Sequence, residues 1–167
     1  MSLENIQVPP IVLQSLFNNS LVDLNTEQPL TESASSTELS YLGENKKKVV
    51  LISKASDAIY LPDHLLNFLI GILGACKLTM ADIALINLTN NPGLHYSGIA
   101  STIKAEKIIL FGVEPGEIEL PLKFPHYQIQ HYNDQIYLSA ETLEKISENK
   151  EEKVKLWNSL KQVFNIV

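Results

Sequence analysis

The chain has 167 residues, of which 45% are hydrophobic and 19% charged, so it can form one domain with a substantial core and global disorder is excluded. Its formal net charge is −6, and its 13 basic residues are all lysines. Strong nucleic-acid binders usually carry a basic face and use the planar guanidinium of arginine for bidentate contacts. We therefore expect no strong direct binding of nucleic acid.

The cysteine content and the apolar runs indicate the compartment. Cys76 is the single cysteine, so it cannot form an intramolecular disulfide, which fits a reducing environment. It lies among the apolar positions of a predicted helix, which favours a core role over a reactive thiol. No signal segment is evident, and the longest apolar run, residues 68–76, is shorter than the ~20 residues needed to span a bilayer. These features predict a cytoplasmic protein without a membrane segment.

Residues 1–45 differ in composition from the rest and predict a flexible N-terminal arm. Residues 26–40 are rich in Ser, Thr and Glu with little hydrophobic periodicity, which is typical of a tether. A short apolar helix is predicted before them, with candidate partner-binding residues Ile11, Leu13, Leu16 and Phe17. Because so short a helix is marginal in water, its apolar residues must cover a surface. That surface is either the chain's own domain or a protein partner.

Residues 46–167 alternate apolar runs of strand length with helical patterns. The runs at 48–52, 83–86 and 107–111 predict buried strands, and the apolar residues from 61 to 77 follow a helical period. Buried strands that alternate with helices form parallel sheets covered on both faces. We therefore predict a single α/β domain with a three-layer α/β/α arrangement and a mainly parallel central sheet, in which these three strands are adjacent.

The last third of the chain carries a turn signal and a second amphipathic pattern. Asn133-Asp134 predicts a hairpin between residues 127–132 and 135–139. Ser139 is expected to cap a following helix. Residues 150–164 predict an amphipathic helix with its apolar face formed by Val154, Trp157, Leu160, Val163 and Phe164.

Polar residues follow the predicted parallel strands at the ends where α/β folds usually bind ligands. The candidate pocket residues are Ser53, Asn87, Asn90 and Gly112. Asn87 either hydrogen-bonds a ligand such as a base edge or ties down the adjoining loop, and we favour the second role. The strand-end segments contain no recognisable nucleophile–base pair. The sequence therefore predicts binding loops without a catalytic centre.

Metal and cofactor motifs are also missing from the sequence. The four histidines lack the close helical pairing of a zinc site. Gly112-x-x-x-Gly116 is not followed by the Lys-Ser/Thr of a phosphate-binding loop. The acidic residues of the same loop, Glu114, Glu117 and Glu119, are expected to be solvated. We therefore expect no metal, no cofactor and no enzymatic activity.

The order of these elements resembles the uracil-DNA glycosylase superfamily, especially its compact single-domain branches. Gly71–Asn87 is similar to the family's helix, acidic connection and strand ending in Asn, and Pro92 matches a proline just beyond it. The family's catalytic motifs are absent. Ser53–Asp57 lacks its Gly-x-x-Pro-Gly or acidic motif, and Tyr137–Ser139 lacks the histidine and proline of its late His-Pro-Ser motif.

The psi subunits of bacterial DNA polymerase III form a non-catalytic family of similar fold, which this chain resembles more closely. The similar features are the apolar N-terminal arm, the Pro62-Asp63 helix start and the final helix with lysines and Trp157. The resemblance implies an accessory subunit of DNA replication whose partners are a clamp loader or a chi-like subunit. The alternatives are a diverged glycosylase-type enzyme and a nucleotide-binding regulatory domain.

Overall fold

The computed structural model of the protein describes residues 38–166. Within this range, a mixed sheet of six strands is combined with four α-helices. The strands are β1 (Tyr41–Leu42), β2 (Val49–Ser53), β3 (Ile83–Asn87), β4 (Lys107–Phe111), β5 (Ile129–Tyr132) and β6 (Gln135–Ala140). The helices are α1 (Asp63–Ala75), α2 (Tyr96–Thr102), α3 (Leu143–Glu148) and α4 (Lys150–Phe164). The predicted arm helix with Ile11, Leu13, Leu16 and Phe17 lies outside the described residues.

The strand order is β1-β3-β2-β4-β6-β5. β2 pairs in parallel with both β3 and β4, and β4 pairs in parallel with β6. The three strands predicted to be adjacent are therefore adjacent and parallel. The sheet as a whole is mixed, because the outer strands β1 and β5 pair antiparallel with β3 and β6.

The inner strands are buried on both faces, which explains why their sequences are continuous apolar runs rather than alternating ones. On one face, Leu51, Leu85 and Ile109 belong to a core cluster that also contains residues of α1, α3 and α4. Their neighbours Ile52 and Ile86 point to the opposite face and are also fully buried. Neither face of these strands is exposed to water.

Helix α1 begins and ends close to the predicted bounds. Its buried face consists of Leu65, Leu69 and Leu73, at the spacing expected for one side of a helix. Cys76 caps the C-terminal end and is buried, and burial raises the pKa of its thiol to about 11. The predicted core role of Cys76 is therefore confirmed. No helix within residues 38–166 has the length and apolar character needed to cross a membrane.

The predicted hairpin is confirmed, whereas the predicted helix cap after it is wrong. Asn133 and Asp134 both adopt left-handed backbone conformations, with φ of 53° and 62°, as a tight type I′ connection requires. Ser139 lies inside β6, because the parallel pairing with β4 continues to Ala140. The cap of α3 is Thr142, whose hydroxyl oxygen accepts the Lys145 N–H at 3.2 Å.

Helix α4 has the predicted bounds, but its buried face is rotated relative to the prediction. Val154 is 51% exposed, whereas Leu156 and Ser159 are buried. The Ser159 hydroxyl donates to the Tyr127 carbonyl oxygen at 2.9 Å. A polar residue thus occupies a buried position of α4 because its hydroxyl satisfies a loop carbonyl, an arrangement that hydrophobicity does not reveal.

The sheet also begins earlier than the predicted domain boundary at residue 46. Tyr41 pairs with Ile86 and Leu42 with Leu85, so β1 belongs to the sheet rather than to the arm. The turn that follows requires glycine, since a Cβ on Gly43 would lie 2.1 Å from the Ile83 carbonyl oxygen. A two-residue strand is too short to produce a recognisable period, which is why the sequence did not predict β1.

Candidate functional site

The carboxyl ends of the parallel strands bring Ser53 and Asn87 together at one edge of the sheet. The two residues are direct partners in the β2–β3 register, and both are buried. Asn90 follows Asn87 by one turn and is exposed. Gly112 directly follows the parallel strand β4, so all four predicted pocket residues lie at the same sheet edge, although Ser53 and Asn87 are buried there.

The Asn87 side chain is fully engaged by its own surroundings. Its Oδ1 accepts the backbone N–H groups of Ala55 at 3.0 Å and Thr89 at 3.1 Å. Its Nδ2 donates to the carbonyl oxygens of Ala55, Ala58 and Ile59, at 2.8, 3.1 and 3.2 Å. An amide has two donor hydrogens and two acceptor lone pairs, so this set uses its whole capacity. In this geometry Asn87 ties the β2–α1 loop to the end of β3.

Removal of the Asn87 amide should destabilise the protein strongly. Asn87→Ala leaves the buried N–H and carbonyl groups of Ala55 without partners, and we expect a loss of roughly 2–4 kcal/mol of unfolding free energy. Asn90→Ala is the matched control, because exposed Asn90 makes one comparable bond, to the Ile59 carbonyl oxygen at 2.8 Å. Urea titrations of both variants measure the difference. Equal losses would mean that the Asn87 network contributes little.

Gly112 is the fourth predicted pocket residue, and it packs against α3. Its φ of 67° is in the left-handed region, and a Cβ there would lie 2.5 Å from the Thr142 methyl carbon. Its N–H donates to the Ala140 carbonyl oxygen at 2.9 Å. The glycine therefore allows the chain leaving β4 to pass directly beneath the α3 cap.

Ser53 has a different character from its neighbours. Its side chain is only 3% exposed, and its hydroxyl oxygen has no hydrogen-bond partner among the described residues. A buried hydroxyl without a partner is unfavourable, so this group is the best candidate at the sheet edge for contact with a small polar ligand.

Ion pairs join the loops around this edge. Lys54, which follows β2, pairs with Glu117 on the loop after β4. Burial alone would raise the pKa of the Glu117 carboxyl, but the bonds from Lys54 and from the Glu114 N–H, 2.8 Å away, lower that pKa below its usual value. Glu117 is exposed, as predicted for this acidic loop, and its carboxylate also joins the loop after β4 to Lys54.

Two other acidic residues near this edge, Glu119 and Glu141, are also paired. A Glu119 carboxylate oxygen lies 3.0 Å from His95 Nδ1, and a Glu141 oxygen lies 2.9 Å from His126 Nδ1. Among residues 38–166, no group of three or more metal-binding side chains is placed to hold an ion. The charged side chains at this edge thus connect loops in separate pairs.

An apolar groove between α1 and α4 was not predicted. It has a volume of 460 Å³ and is lined mainly by Phe68, Gly71, Ile72, Ile146, Trp157 and Leu160. The sequence placed Trp157 on the apolar face of α4, but the gap beside it depends on how two distant helices pack. The sequence feature that could have indicated the groove is the pair Gly71 and Gly74, which lies on the side of α1 opposite its buried leucines.

Comparison with models of known protein families finds no match to this chain, and comparison with curated proteins finds none either. The fold and the sheet edge define an α/β protein with a six-stranded mixed sheet. Its strand ends are held by internal hydrogen bonds and ion pairs.

Proposed function

We propose that this chain is a non-catalytic accessory subunit of the DNA replication machinery, comparable to the psi subunits of clamp loaders. Its proposed partners are a clamp loader through the N-terminal arm and a chi-like subunit through the domain. We also propose that the domain has the three-layer α/β/α arrangement of the uracil-DNA glycosylase superfamily. Burial of β2, β3 and β4 on both faces supports this arrangement.

The hydrogen bonding of the Asn87 side chain is the main observation that supports the non-catalytic proposal. Excision of a base requires a pocket whose polar groups are free to recognise the flipped base. Asn87 matches the asparagine that ends the corresponding strand in the glycosylase superfamily, yet here all of its hydrogen bonds go to the chain's own backbone. The absent catalytic motifs at 53–57 and 137–139 support the same proposal.

The composition supports a role in protein binding. The chain has a net charge of −6 and no arginine, so it lacks the basic face and the guanidinium groups that usually bind a phosphate backbone. The groove between α1 and α4 supplies an apolar surface instead, and aromatic and aliphatic residues dominate protein interfaces. The contribution of this chain to replication is then to hold other subunits together.

A second candidate is a regulatory domain that binds a small polar ligand such as a nucleotide. It is favoured by one observation, the buried Ser53 hydroxyl without a hydrogen-bond partner among the described residues. It ranks second because the adjacent Asn87 has no free hydrogen-bonding group to offer the same ligand. Saturable protection of the melting temperature by ATP or GTP, lost in Ser53→Ala, would promote it above the first candidate.

The purified protein should release no uracil from single-stranded or double-stranded DNA. The physical reason is that the Asn87 amide is engaged by the chain's own backbone and that the catalytic motifs are absent. A gel assay with uracil-containing oligonucleotides, run beside an active glycosylase, measures this. Protein-dependent release that is lost when Asn87 is substituted, in a variant that circular dichroism shows to be folded, would identify a diverged glycosylase and overturn the proposal.

A further inference from the structure

The groove between α1 and α4 presents an apolar surface bordered by aromatic side chains. Phe68 on α1 and Trp157 on α4 form its aromatic walls, and both are only half-buried. Ile146 of α3 contributes a fully buried side chain to the lining.

Gly71 lines this groove, and Gly74 lies outside its lining on the exposed side of α1. Glycine is among the least favourable residues in a helix interior, yet α1 contains Gly71 and Gly74. A Cβ added at either position would meet nothing within 4 Å among the described residues, so neither glycine is needed for packing. A helix surface without side chains allows the backbone of a partner to approach closely.

One of the α4 side chains that line the groove, Lys153, is basic, in contrast to the acidic chain as a whole. The lysines of α4 are Lys150, Lys153, Lys155 and Lys161. Its two acidic residues are Glu151 and Glu152. Glu152 is almost buried, and its carboxylate oxygens accept hydrogen bonds from the Tyr127 hydroxyl at 2.6 Å and from the Lys155 ammonium group at 2.9 Å. The exposed charge along this helix is therefore positive.

Lys153 carries that charge into the groove itself. Its ammonium group lies 5.6 Å from the centre of the Phe68 ring, and it forms no salt bridge with the described residues. An ammonium group over an aromatic face can also receive a carboxylate from outside. The groove is therefore mainly apolar and carries one positive charge, the Lys153 ammonium group beside Phe68.

We infer that the groove binds an amphipathic helix of a partner protein, whose apolar stripe is flanked by acidic side chains. A helix that binds in an apolar groove inserts apolar side chains spaced three and four residues apart. Complementary charges around the groove favour one partner over another. A second copy of this chain is a poorer occupant, because a symmetric contact would bring the same lysines together. This inference rests on the proposed protein-binding function and names the chemistry of the partner.

The test uses Trp157, because it is the only tryptophan in the chain. The full chain is titrated with a synthetic peptide of about 16 residues, long enough to be helical, that carries a leucine stripe flanked by glutamates. We expect a saturable blue shift of the emission and reduced quenching by acrylamide. A peptide with lysines in place of the glutamates should bind at least tenfold more weakly.

Matched variants locate the site. Gly71→Leu fills the groove, whereas Gly74→Leu makes the same change on the exposed side of α1 outside the groove lining. We expect at least tenfold weaker binding of the acidic peptide only for the first. Lys153→Glu should likewise weaken binding at least tenfold, and Lys123→Glu, on the loop between β4 and β5, should not. Circular dichroism confirms that each variant is folded.

Three results would overturn the inference. The first is an unchanged Trp157 signal with the acidic peptide, and the second is equal binding of the two peptides. The third is a concentration-dependent emission shift of the free chain that Gly71→Leu removes, which would make a second copy the occupant. None of these results tests the replication role, which fails separately if uracil is released or if a purified clamp loader does not bind.

Discussion

Replacing Leu13 and Phe17 together with aspartate is expected to abolish binding of a clamp loader while leaving the melting temperature of the protein nearly unchanged. Apolar anchors contribute to an interface through burial, and a charge at an anchor position removes that contribution. The binding is measured by calorimetric titration of the full chain with the purified clamp-loader pentamer of the same organism. Both residues lie outside the part of the chain that the structure describes.

The control for this experiment changes polar residues of the same segment. Gln14→Asp plus Ser15→Asp adds the same charge without removing an apolar anchor, and we expect binding to persist. A large fall in the melting temperature of the Leu13→Asp plus Phe17→Asp variant would contradict the prediction. It would mean that the segment packs against its own domain, because two charges would then have been buried.

Leu69→Ala is expected to lower the unfolding free energy by about 2–5 kcal/mol. Leu69 is fully buried in the core cluster that α1 forms with the sheet, so the substitution removes apolar burial and leaves a cavity. Ile70→Ala, in the next position of the same helix, is the control. Ile70 is 45% exposed, so its truncation should cost less than about 1 kcal/mol.

Urea titration with a fluorescence readout measures both variants under the same conditions. The expected pattern is a lower midpoint for Leu69→Ala with an unchanged dependence on urea concentration. A loss below about 1 kcal/mol for Leu69→Ala would contradict the packing of α1 described above, because that magnitude is typical of a surface position.

Local signals predicted most of the fold. The inner strands are continuous apolar runs because both of their faces are buried, and such runs are visible without knowledge of the partner strands. The α1 pattern and the Asn133-Asp134 turn were equally clear, because a helical period and a left-handed turn are properties of neighbouring residues. β1 was missed because two residues carry no period.

The candidate site was predictable only in part. The sequence placed Ser53, Asn87 and Asn90 at strand ends, and the parallel register then brings them to one sheet edge. It could not decide whether Asn87 faces a ligand or its own loop. That decision depends on where residues 55–59 pass, and only the tertiary structure brings their backbone groups within 3.2 Å of the amide.

The α/β class, the inner strands and the approximate bounds of the two longest helices were predictable from the sequence, since they depend on the periodicity of adjacent residues. Tertiary structure alone decided the mixed order of the sheet, the buried face of α4 and the groove between α1 and α4. Each of these depends on contacts between residues far apart in the chain. Trp157 is an example of both cases. The sequence predicted its place on the apolar face of α4, whereas its exposure beside Gly71 follows from the packing of α1 against α3 and α4.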